Sequence, residues 1–182
     1  MDQETLMVIA VLVAIGAISW YRSGKKAAVD LVTPQDKLTT KGCIQMALQM
    51  LGSALEPHSA KSPADAIAAG ERALDEHGMS CAIVVNVLLM GFLRGYIAKN
   101  QLSSDRTQAL MLHGSSLLAD SLNLSGEDLW DRSGELVKVR GPLGFLMQKA
   151  EKDGVSLPGE VQEGSVLAGL LMDAVKQAGV SS

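Results

Sequence analysis

The chain has 182 residues, a net charge of −4 and 47% hydrophobic residues, yet only 3% of its residues are aromatic. A core of Leu, Val, Ala and Met points to close-packed helices rather than aromatic-rich sheets, and scattered positive charge leaves no electrostatic footprint for nucleic acid. The two cysteines, Cys43 and Cys81, form no CxxC pair and read as reduced, buried thiols of a reducing compartment.

The expected fold is all-α: an N-terminal single transmembrane helix followed by a compact bundle of about six helices. Every residue from Leu6 to Ile18 is apolar or Gly, and the uncharged run extends from Thr5 to Tyr21. As a helix that run covers roughly 25 Å, the short end of what crosses a bilayer. Asp2 and Glu4 precede it, and Arg22, Lys25 and Lys26 follow it. A secretory signal carries its positive charge first. The reversed order points to a retained anchor over residues 1–21 in the cell (inner) membrane, with the N-terminus outside and the chain after Arg22 in the cytoplasm. Trp20 and Tyr21 fall where interfacial aromatics sit, and Arg22, Lys25 and Lys26 where anionic headgroups are met. Cleavage after Ala17-Ile18-Ser19 and a buried core helix are the competing readings. Ala10, Ala14 and Ala17 line one side of this helix. That spacing lets helices approach closely in lipid and leaves a homo-oligomer open, although Ala is common in membrane helices anyway.

Residues 22–32 form a basic juxtamembrane tether, and residues 33–182 an α-helical cytoplasmic domain large enough for one core. Thr33-Pro34-Gln35-Asp36 and Ser62-Pro63-Ala64-Asp65 share one form: a hydroxyl N-cap, Pro at the first helical position and an acid at the third. Ser125-Gly126-Glu127-Asp128 is a third start, and Gly141-Pro142 and Ser156-Leu157-Pro158 two more. The predicted helices run over 34–55, 63–76, 80–99, 104–121, 126–139, 142–152 and 158–178. Ile44, Ala47, Leu48, Leu51 and Leu55 mark the buried face of the first. Val166, Leu170, Met172 and Val175 mark that of the last. Gly78 caps the second. No fixed-period repeat appears.

Segment 81–98 is the most apolar stretch of the domain. Its uninterrupted part, Val84–Leu93, contains Asn86 and is closed by Arg94, which is short for a span and oriented against the charge rule. It reads as the central helix of the bundle, hydrophobic all round because it is surrounded. Gly91 and Gly95 form a GxxxG pair suited to close helix packing or self-association, and Asn86 must find a buried partner.

Chemistry-bearing motifs are sparse. His58, His77 and His113 have no metal-ligand spacing, and no phosphate loop, nucleophile elbow or cofactor motif occurs. Glu127, Asp131 and Glu135 recur every four residues along one helix side, with Asp128 and Trp130 beside them. Without a pocket to desolvate one carboxylate they form a solvated acidic face or a docking face for a basic partner, with Trp130 as anchor. The expected function is a membrane-anchored helical adaptor or assembly subunit of an envelope complex, in contact with protein partners and membrane lipid. A pore-forming or translocation component, with residues 81–98 also in the membrane, is the first alternative. A membrane-tethered enzyme without a recognisable motif is the second.

Overall fold

The computed structural model describes residues 31–138, 141–153 and 166–179, which contain seven helices and no strand. They are α1 (Pro34–Leu55), α2 (Pro63–His77), α3 (Met79–Asn100), α4 (Ser104–Ser121), α5 (Gly126–Lys138), α6 (Pro142–Asp153) and α7 (Val166–Gln177). The expected anchor with Ala10, Ala14, Ala17, Trp20 and Tyr21 lies outside the described residues. So do Arg22, Lys25 and Lys26 of the tether and the start at Ser156-Leu157-Pro158.

The helix starts follow from side chains that satisfy free backbone amides. Thr33 Oγ1 accepts from the Asp36 amide at 3.2 Å while Asp36 Oδ2 accepts from the Thr33 amide at 2.9 Å, a reciprocal capping box with Asp in place of Glu. Ser62 accepts from the Asp65 amide at 3.2 Å, Ser103 from that of Arg106 at 3.4 Å and Ser125 from that of Asp128 at 3.3 Å. The start of α6 is capped at long range, because Gln177 Oε1 at the end of α7 accepts from the Leu143 amide at 2.9 Å. Between α2 and α3 a single residue turns the chain. Gly78 has φ +51°, a conformation that costs an L side chain strain and costs glycine nothing.

α3 is the axis of the bundle and packs against every other described helix. Every residue from Cys81 to Leu93 is buried. It is long and apolar enough to cross a membrane, and within the described residues it is the one helix that is, but most of that apolar stretch is enclosed by its neighbours. Leu88, Leu89 and Leu93 from α3 belong to one core cluster with Leu51 from α1, Leu110 and Leu118 from α4, Leu129 from α5, Leu143 and Leu146 from α6 and Leu171 from α7, all fully buried. Burying a side chain of that size contributes on the order of 2 kcal/mol, so this layer is the main driving force of the fold.

Two details differ from the sequence reading. Val32, the last residue of the expected tether, is 6% exposed and belongs to the core. Among the side chains of α7 that are described, Leu171, Ala174 and Val175 are buried and Leu170 and Met172 half-buried, and the side chain of Val166 lies outside that set. The heptad pattern there is nearly apolar all round, so periodicity alone leaves its phase open.

Three glycines set the helix spacings. A Cβ on Gly52 of α1 would strike the backbone carbonyl of Ala66 in α2, and one on Gly70 of α2 would strike the carbonyl of Leu48 in α1, so the two helices cross with backbones in contact. A Cβ on Gly91 of α3 would come within 2.6 Å of the Ala150 Cβ and 2.7 Å of the Met147 carbonyl oxygen in α6. Gly91 is therefore spent on packing inside the domain, and Gly95 is half-buried one turn further on. Gly134 of α5, by contrast, has nothing within 4 Å of its would-be Cβ. Urea unfolding followed by circular dichroism should show Gly52→Ala losing about 2 kcal/mol through overpacking against backbone. Gly134→Ala should gain about 0.5–1 kcal/mol from helix propensity.

Candidate functional site

Two polar clusters interrupt the apolar interior. The first lies where the N-terminal segment enters the bundle. Thr33 and Asp36 begin α1, Tyr96 stands in the last turns of α3, and Arg106 lies in the first turn of α4. The Arg106 guanidinium Nη2 is 2.8 Å from Asp36 Oδ2 and 3.4 Å from Thr33 Oγ1. The Thr33 hydroxyl donates to Asp36 Oδ2 at 2.7 Å and the Tyr96 hydroxyl to Oδ1 at 3.1 Å. With the Thr33 amide, the carboxylate accepts from four donors, three of them on Oδ2 and the Tyr96 hydroxyl on Oδ1. Asp36 is fully buried, while the Arg106 side chain keeps 33% of its surface in water.

Burial alone would push the Asp36 carboxyl up. The Arg106 guanidinium, the Thr33 hydroxyl and amide and the Tyr96 hydroxyl outweigh it and hold the pKa at about 2. The same contact, after burial itself, raises the Tyr96 phenol above its ordinary value, because ionisation would place a second negative charge beside Asp36.

The second cluster is the one that Asn86 demands. The Ser115 hydroxyl of α4 donates to Asn86 Oδ1 at 2.8 Å. Asn86 Nδ2 donates to Ser133 Oγ of α5 at 3.0 Å, and Ser133 in turn donates to the Leu129 carbonyl at 2.7 Å. All three residues are buried, and the relay ties α3 to α4 and α5 with no donor left over on the serines. Fully satisfied buried networks of this kind specify one packing arrangement.

Among the described residues no group of three or more His, Cys, Asp or Glu side chains could hold a metal ion. His113 of α4 is half-buried, and burial followed by the nearby Lys37 charge lowers its pKa, which keeps the imidazole neutral at pH 7. Its Nε2 is buried without a hydrogen-bond partner among the described residues. Cys43 and Cys81 are buried and unpaired, and burial pushes both thiols up to about 11, with Glu76 adding to the effect at Cys81.

The residues expected to dock a partner do share one face. Glu127, Asp131 and Glu135 are all exposed on α5, opposite the buried Leu129 and Ser133. Trp130 is not a free anchor. It is half-buried and packs against the core. The Asp36 cluster was not foreseen as a site. Asp36 reads from sequence as a helix-capping acid only, and its cation is 70 residues away with no local signal linking the two.

By fold, the described chain is a compact all-helical domain wound around one apolar helix. Compared with known protein families, with curated proteins and with solved structures, it matches none of them.

Removing the Asp36 charge should cost about 3 kcal/mol, as for other broken buried pairs, and Asp36→Asn tests it by urea titration at pH 7. The pair's contribution has a defined acid limb. The folded pKa of about 2 lies below the ordinary 3.8, so the stabilisation is complete above pH 4 and lost as pH falls through 2. The gap between the native protein and Asp36→Asn should therefore close across that window. Native Cys43 and Cys81 should resist alkylation at pH 8 and react within seconds once urea unfolds the domain; rapid modification of the folded protein would contradict their burial.

Proposed function

We propose that the protein is a membrane-anchored adaptor or assembly subunit, with residues 1–21 as the anchor and the helical domain on the cytoplasmic side. The observation that carries this reading is the charge order around the apolar run: acids before Leu6, then Arg22, Lys25 and Lys26 after Tyr21. Two features support it. The Asp36–Arg106 pair pins the start of α1 to α3 and α4, so the domain begins as a firm body immediately after the N-terminal segment. The exposed row Glu127, Asp131 and Glu135 offers a basic protein partner a regular line of charge along one helix. Confinement to a surface then raises the effective concentration of a weak interaction.

A second reading, a pore-forming or translocation component, is favoured by the length and apolarity of α3. It requires α3 to leave the bundle and carry Asn86 into lipid without Ser115 and Ser133, which a satisfied buried relay opposes.

The adaptor reading predicts that full-length protein extracted from membranes in mild detergent carries a reproducible set of partners. Replacing Glu127, Asp131 and Glu135 together by Lys should remove at least one of them while the circular dichroism spectrum stays unchanged. Unaltered partners in the triple variant would dispose of the docking face. Protection of segment 81–98 from protease in sealed vesicles that is lost when mild detergent dissolves the membrane would move the choice to the pore.

A further inference from the structure

Among the described residues three large apolar side chains are exposed: Leu31 at 43%, Leu38 at 66% and Phe145 at 57%. Two of them flank the start of α1. The outward face of that helix is made of Pro34, Lys37, Leu38, Lys41 and Gln45, all exposed, while Asp36, Thr40, Cys43 and Ala47 point the other way into the bundle. This face carries Lys37 and Lys41 and no acid, in a chain whose net charge is −4. The one carboxylate in the first turns, Asp36, is sealed behind the helix and neutralised by Arg106.

We propose that Leu31 and Leu38, with Lys37 and Lys41, form a foot by which the domain rests on an anionic phospholipid surface. The proposal rests on the anchored reading above and deepens it, since it fixes which end of the bundle faces the membrane. The occupant follows from the chain that precedes the foot. Only residues 23–30 separate Arg22, at the expected membrane boundary, from Leu31, and a fully extended chain spans at most about 3.5 Å per residue. Leu31 therefore lies within roughly 30 Å of that boundary. Two leucines beside two lysines is the composition of an interfacial surface: apolar groups enter the headgroup boundary and ammonium groups meet lipid phosphates. A basic protein partner would be repelled by the same lysines. The attraction acts within a Debye length of about 8–10 Å, which the short connection makes reachable.

The test uses the full chain with Leu38→Cys carrying a nitroxide; the buried native thiols should stay unlabelled. The protein is reconstituted into vesicles of neutral phospholipid, or with roughly a third anionic phospholipid, a composition that gives the surface a negative potential. Collision with dissolved oxygen and with a water-soluble nickel chelate is then measured, and Glu71→Cys on the exposed face of α2 serves as the aqueous reference. The expected result is an oxygen-to-nickel ratio at residue 38 several-fold above the reference in anionic vesicles. Adding Lys37→Glu and Lys41→Glu should return it to the reference value. Three results overturn the foot: a residue 38 as open to nickel as the reference in protein that floats with the vesicles, one shielded from both reagents as by a protein partner, or no response to the lysine changes. Failure of the chain to float with vesicles would instead remove the anchored reading itself, and the foot with it.

Discussion

Burial of α3 on all sides is the constraint to which the rest of the domain answers. A helix with no polar stripe gains from every apolar neighbour and tolerates no gap, because each void forfeits dispersion contacts along its whole lining. With few aromatics available, the chain closes the gaps by bringing backbones together. Gly52 against Ala66, Gly70 against Leu48 and Gly91 against Ala150 replace large side chains with direct helix contact. The leucine layer then needs no bulky filler. Asn86 is the exception in the middle of α3, and its relay to Ser115 and Ser133 turns that exception into a register mark for α4 and α5.

The Asp36–Arg106 pair answers a different need. Buried ion pairs contribute little net stability relative to well-packed apolar groups, but they allow only one arrangement of the elements that supply them. Here those elements are the start of α1, the end of α3 and the start of α4, together with the hydroxyl of Tyr96. A junction of that kind suits a domain held at a surface by its N-terminal end, because it prevents the first helix from peeling away.

Charge is sorted over the outside of the bundle in a way that fits the same geometry. The outward face of α1 carries Lys37 and Lys41, whereas α5 carries the row of Glu127, Asp131 and Glu135, and among the described residues these two helices do not pack together. An anionic membrane would attract the first and repel the second. In the anchored reading this separation leaves the acidic row turned towards protein rather than lipid, with the domain held in one orientation by charge as well as by its tether.

Much of the architecture was legible without the tertiary structure. Thr33, Ser62 and Ser125 announce helix starts because a hydroxyl cap acts on amides only two or three residues away. α1 and α4 begin and end where capping and periodicity place them, and the segment around Val84–Leu93 reads as the central helix because it has no polar face. The need of Asn86 for a partner is likewise stated by the sequence, since a buried amide must be paired. The sequence could not say which residues would meet it. Ser115 and Ser133 lie 29 and 47 residues away, and Arg106 lies 70 residues from Asp36. Those pairings depend on how α1, α3, α4 and α5 are rotated about their axes, and rotation is decided by the joint packing of all the leucines, not by any local signal. The same holds for Val32, which falls within the expected tether yet packs into the core, and for Trp130, half-buried against it. Secondary structure and burial demand are local or periodic properties and are written along the chain. The choice of partner is a property of the closed bundle, because only packing decides which of many chemically adequate side chains comes within 3 Å of another.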